Sequence, residues 1–111
     1  MTISRIGIIG VGVMGEALIA ALLRSGTSPS SIVIREKRAD RSAEMVEKYS
    51  VATGSISGCD AVFLLVKPQD LVATLQELRS EISSDALVVS FIAGKSTATI
   101  ESLLQIGRAH V

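Results

Sequence analysis

Apolar runs of strand length alternate along this chain with segments whose apolar residues recur at helical spacing. Ile3 to Ile9 is the first run and ends at Gly10. Glu16 to Arg24 reads as a helix of small and aliphatic residues, with Gly26 placed as its C-terminal cap. Thr27-Ser28-Pro29-Ser30 carries turn chemistry, and Ile32-Val33-Ile34 is a short second strand. The charged stretch from Ala39 to Lys48, with Ala43, Val46 and Tyr49 on one face, predicts a solvent-exposed helix. Ala61 to Val66, bounded by Asp60 and Lys67-Pro68, predicts a buried strand. Leu71, Val72, Leu75, Leu78 and Ile82 mark a helix over Gln69 to Ile82, with Pro68 at its start, where a missing N–H is tolerated. Ala86 to Ile92 is a fourth strand and Ser96 to Leu104 a last helix.

This β-α alternation implies an α/β fold, a doubly wound parallel sheet with right-handed crossovers. The 111 residues form one domain, large enough for a sizeable core. Hydrophobic residues make up 48% but aromatics only 3%, so the core must be aliphatic, as in a parallel sheet covered on both faces. Eleven basic residues balance eleven acidic ones, leaving no field that would gather nucleic acid or an anionic membrane. The apolar runs fall well short of the roughly 18 residues that span a bilayer. The single Cys59 excludes an internal disulfide and fits a reducing, cytoplasmic setting. Arg108-Ala109-His110-Val111 reads as a strand just beginning, so a fragment of a longer protein is expected.

Gly10-Val11-Gly12-Val13-Met14-Gly15 matches G-x-G-x-x-G. The pattern gains weight from its context: it follows a strand and opens a helix within a β-α-β unit. The first glycine allows the tight turn, the second lets backbone approach a pyrophosphate, and the third lets helix and strand pack closely. Orphan N–H groups at the helix start then face the phosphates. The reading is a Rossmann-like dinucleotide site, weighed against a tight structural turn with no ligand. The end of the second strand, Arg35-Glu36-Lys37-Arg38, should contact the adenosine ribose. Glu36 there favours a 2′-hydroxyl and NAD, whereas Arg35, Lys37 and Arg38 favour a 2′-phosphate. Three cations around one carboxylate tilt the expectation to NADP(H), with NAD(H) as the alternative. Ligands in such folds bind beyond the carboxyl ends of the strands. Val66, Lys67 and Pro68 should therefore border the ribose and nicotinamide, and small Ala93 leaves room for the nicotinamide ring.

The chain resembles the pyrroline-5-carboxylate reductases. The likeness covers its whole length and rests on Ile6 to Gly15, on Val66-Lys67-Pro68-Gln69, and on Val88-Val89-Ser90 through Ala93-Gly94. The loop ending Met14-Gly15 is shared with β-hydroxyacid dehydrogenases, whereas Val-Lys-Pro-Gln is more particular to the reductases. The resemblance implies reduction of 1-pyrroline-5-carboxylate to L-proline with NADPH or NADH. It implies cofactor contacts at Ile9 to Met14, Leu65 to Pro68 and Phe91 to Ala93. It also implies a helical C-terminal domain, absent from this chain, that carries dimerisation and most substrate contacts. Turnover by the 111 residues alone is therefore not expected. The segment from Val51 to Asp60 is shorter than the family pattern and lacks its asparagine. A β-hydroxyacid-type dehydrogenase and a non-catalytic nucleotide-sensing module stay open as alternatives.

No catalytic or metal-binding residue is assigned. His110 sits at the chain's end, Cys59 reads as a small hydrophobe, and Asp70 suits a first helical turn. Asp60 precedes a strand, and Ser90 at a strand end reads as a turn partner.

Overall fold

Every strand of the sheet runs in one direction, in the order β3-β2-β1-β4-β5. The computed structural model describes residues 4–90. The elements are β1 (Ile6–Ile9), α1 (Val13–Arg24), β2 (Ile32–Arg35), α2 (Ala39–Tyr49), β3 (Ala52–Thr53), β4 (Ala61–Leu64), α3 (Leu71–Leu78) and β5 (Leu87–Ser90). Single 3-10 turns at Pro29–Ser31 and Pro68–Asp70 lead into β2 and α3. The expected doubly wound α/β architecture is present. The helix expected over Ser96 to Leu104 lies outside the described residues.

Side chains alternate across the sheet and build a core on each face. Ile6 and Ile8 of β1 join Ile32 and Ile34 of β2 against Ile19 of α1 and Met45 of α2. On the other face Ile9, Val33, Val62, Leu64 and Val88 pack with Leu71, Leu75 and Leu78 of α3. Each fully buried aliphatic side chain contributes about 1.5–3 kcal/mol. Helix α1 ends as expected at Gly26 (φ 101), with Gly26 N–H donating to Leu23 and Thr27 N–H to Leu22.

Four local differences from the sequence reading have physical causes. Helix α1 starts at Val13 rather than Glu16, because Val13 and Met14 are exposed and give no inward-facing signal. β1 starts at Ile6; the N–H groups of Ser4 and Arg5 donate instead to the Asp60 carboxylate at 2.9 and 3.0 Å. Strand β3 has two exposed residues and pairs with Val33 and Ile34, so no apolar pattern announces it. Helix α2 turns Met45 inward and leaves Val46 exposed. Its inner face is partly polar, because Arg41, Lys48 and Tyr49 reach Glu16 on α1.

Candidate dinucleotide-binding site

The strand order reverses between β1 and β4, and a cleft of about 500 Å³ opens beyond the carboxyl ends of β1, β2 and β4. The strands stay bonded up to its floor: Gly10 N–H donates to Arg35 at 2.8 Å and Leu65 N–H to Ile9 at 2.8 Å. The lining runs over Ile9 to Gly12, Arg35 to Arg38, Arg41, Leu65 to Lys67, and Asp70, Thr74, Glu77 and Leu78. Its position is the one the fold's switch point provides.

The three glycines of the loop are there for different reasons. Gly10 has φ +89, and a Cβ on it would lie 2.9 Å from the Leu65 carbonyl oxygen. A Cβ on Gly15 would lie 2.8 Å from the Gly10 carbonyl oxygen. Both are demanded by the fold. Gly12 is not: its φ of −85 suits any residue, and a Cβ there would meet nothing within 4 Å. The space beside Gly12 is open, and it lies at the N-terminal end of α1, where amide groups favour an anion. On the opposite wall Thr74 is buried, and its Oγ1 has no hydrogen-bond partner. An uncrowded glycine and an unsatisfied hydroxyl both fit a polar ligand lying across this cleft.

Side chains from β2 and α2 clamp the loop. Val11 N–H donates to Glu36 Oε1 at 2.7 Å, and the other Glu36 oxygen accepts the Arg38 N–H at 3.0 Å. Arg41 donates from Nε to the Val11 carbonyl at 2.8 Å and from Nη2 to the Gly12 carbonyl at 3.1 Å. The same guanidinium reaches Glu16 at 2.8 Å and Glu44 at 3.1 Å. Hydrogen bonds from Lys48, from the Tyr49 hydroxyl and from Arg41 lower the Glu16 pKa to about 2. These donors offset the negative charge that Glu16 places in the first turn of α1.

Arg35 points across the cleft mouth to Glu81 at 2.9 Å and Glu77 at 3.6 Å, and it also donates to the Gly54 carbonyl. Glu81 in turn accepts from Ile56 N–H and Ser55, which ties the 51–60 segment to the region after α3. Burial pushes the Glu81 pKa up, but the Ile56 N–H, Arg35 and Ser55 outweigh it and hold the carboxyl below its usual range. Arg38 pairs with Asp40 at 2.8 Å in an exposed bridge.

Of the residues expected to hold cofactor, Ile9, Gly10, Val11, Gly12, Arg35, Glu36, Lys37, Leu65, Val66 and Lys67 line this one cleft. Val13, Met14, Gly15 and Pro68 do not. Val13 is 89% exposed at the outer side of the helix start, and Gly15 is packed under the loop. Phe91, Ile92 and Ala93 lie outside the described residues. Sequence reasoning missed Arg41 and Thr74. Their signal was weak: a basic residue in a charged helix and a threonine in an aliphatic one.

A parallel sheet with a glycine loop opening a helix at its switch point defines the dinucleotide-binding domain of an oxidoreductase. The chain belongs to the family described as NADP oxidoreductase, coenzyme F420-dependent, whose model matches residues 5–94. It is 32% identical over 114 residues to a pyrroline-5-carboxylate reductase of Mycobacterium tuberculosis, covering 94% of this chain and 39% of that protein. The structure of a pyrroline-5-carboxylate reductase from Coxiella burnetii superposes with a TM-score of 0.84 at 28% identity, over 93% of this chain and 40% of that one. A Plasmodium falciparum pyrroline carboxylate reductase with NADP bound has the same fold, with a TM-score of 0.72 at 19% identity over 90% of this chain and 37% of that one. The expected resemblance to these reductases is thus upheld. The chain spans about two fifths of the length of the relatives it matches. No helix among the described residues is long and apolar enough to cross a membrane.

Proposed function

We propose that residues 1–111 are the cofactor domain of an NAD(P)H-dependent imine reductase that converts 1-pyrroline-5-carboxylate to L-proline. The observation that carries the cofactor role is Gly12, whose missing side chain leaves open space at the head of α1 beside the cleft. The choice of an imine substrate is supported by the names of the relatives. When bound, the cofactor would supply a hydride to the imine carbon, with a proton completing the amine at nitrogen.

The chain's own part is to bind and orient. Gly10 to Gly12 and the α1 amides hold the diphosphate, and Glu36 lies at the adenosine ribose. Leu65 to Lys67 border the nicotinamide half. Val13, Met14 and Gly15 contribute through the helix start rather than by side-chain contact, and Arg35 and Lys37 form the outer rim. Substrate contacts and the pairing of subunits belong to chain beyond these residues, in a cytoplasmic enzyme that acts on a small molecule.

Steady-state assay of the full-length natural protein with 1-pyrroline-5-carboxylate and either NADPH or NADH tests this reading. Proline and oxidised cofactor should form in equal amounts, while the 111-residue chain by itself forms neither. Oxidation of cofactor with a β-hydroxyacid or another keto–hydroxy pair, and none with the imine, would overturn the substrate assignment.

A further inference from the structure

Taking the cleft as the nicotinamide-dinucleotide site proposed above, we infer that Glu36 makes this protein select NAD(H) over NADP(H). The sequence pattern alone, three cations around one carboxylate, points the other way. Side-chain geometry reverses it.

Each arginine near the end of β2 already faces a carboxylate. Arg35 is turned to Glu81 and Glu77, and Arg38 is paired with Asp40. Arg41 is divided among Glu16, Glu44 and two loop carbonyls. Only Lys37, an exposed and flexible side chain, has no acid partner among the described residues. Glu36 is placed differently. Its two oxygens are fixed by backbone amides on opposite sides, Val11 at 2.7 Å and Arg38 at 3.0 Å, so the carboxylate cannot swing out of the cleft without breaking both bonds.

Each carboxylate oxygen takes one of those bonds and retains acceptor capacity. A ribose diol, with two hydroxyl donors, matches that remaining capacity. A 2′-phosphate offers acceptors to an acceptor and places like charges within a few ångströms. Relief would fall to the exposed Lys37 alone, unless Arg35 or Arg38 left its acid. Rejection of the phosphate is thus built into the loop's own bracing.

The test is fluorescence titration of the full-length protein with NADH and with NADPH, which carry the same fluorophore. NADH should bind at least roughly tenfold more tightly, as expected for a site whose fixed charge repels one ligand only. In Glu36→Ser the ratio should move toward NADPH by roughly tenfold or more. If Glu36 only braced the loop, both affinities would fall together and the ratio would stay; that result overturns the inference. Equal binding, or tighter NADPH binding, by the unaltered protein overturns it too while leaving the dinucleotide reading intact. Binding of neither cofactor defeats the reading of the cleft itself and the inference with it. Should the variant fail to fold, competition on the unaltered protein decides. Adenosine 5′-monophosphate must displace NADH more effectively than adenosine 2′,5′-bisphosphate, and the opposite order overturns the assignment.

Discussion

The two walls of the cleft are built on different principles. The glycine loop is made by backbone: tight φ values, close carbonyl contacts and helix amides, all within a few residues of one another. The wall beyond β2 is made by charged side chains whose partners come from α1, α2 and the segment after α3. The first wall tolerates almost no added atoms in two places and any atom in a third. The second tolerates added atoms but depends on which charge faces which. In the site we propose, shape would hold the diphosphate and charge would discriminate among adenosines.

That contrast predicts a ranked series of effects. The largest is at Gly10, where alanine meets both a left-handed φ and the Leu65 carbonyl. Gly10→Ala should cost about 3–4 kcal/mol of stability in denaturant unfolding. Gly15→Ala, whose Cβ meets the Gly10 carbonyl oxygen at 2.8 Å and the Val11 side chain at 3.3 Å, should cost about 2–3 kcal/mol. Gly12→Ala should separate stability from binding. Its unfolding free energy should stay within about 0.5 kcal/mol of the unaltered protein. Dinucleotide affinity should nevertheless fall at least about tenfold, since phosphate and methyl then compete for one space. Equal destabilisation by Gly10→Ala and Gly12→Ala would break the contrast.

Removing a clamp should have a smaller effect. Arg41→Ala should cost about 1–2 kcal/mol, through lost hydrogen bonds to the Val11 and Gly12 carbonyls and to Glu16. Lysine should restore little of it, because a point charge lacks the planar fork that reaches these acceptors together. Smaller still is the coupling between Arg35 and Glu81, both about a quarter exposed. A double-mutant cycle should return about 0.5–1 kcal/mol.

Acid provides the last test. The Glu16 pKa is depressed from 4.5 to about 2 by Lys48, Tyr49 and Arg41. Its contribution to stability is therefore complete above pH 4.5 and is lost as pH falls toward 2. Glu16→Gln should flatten that part of a plot of Tm against pH. Asp40 and Asp60 are lowered by their own partners and keep a residual slope of the same sign.

The backbone-built wall was readable in the sequence because its demands are local. A strand, three glycines at set spacing and a helix start act on residues within one short stretch, and the cleft forms where they predict. The charge-built wall was not readable in that way. Arg35 meets Glu81 across 46 positions, and Arg41 meets Glu16 across 25. Nothing in Arg35-Glu36-Lys37-Arg38 reveals which cation is already neutralised. The same long-range pairing hid the inner face of α2, where polar residues occupy positions that apolar periodicity would assign to the core. Strand β3 escaped for a simpler reason: two exposed residues leave no pattern to read.

Val11 is gripped at both ends, its amide by Glu36 and its carbonyl by Arg41, while its side chain is 1% exposed in the core. Folding therefore freezes this stretch of backbone before any nucleotide arrives, and association need not supply the ordering entropy again. The loop is a preorganised mould rather than a flap. Its Val11 amide should exchange with solvent deuterium as slowly as the sheet, with or without ligand.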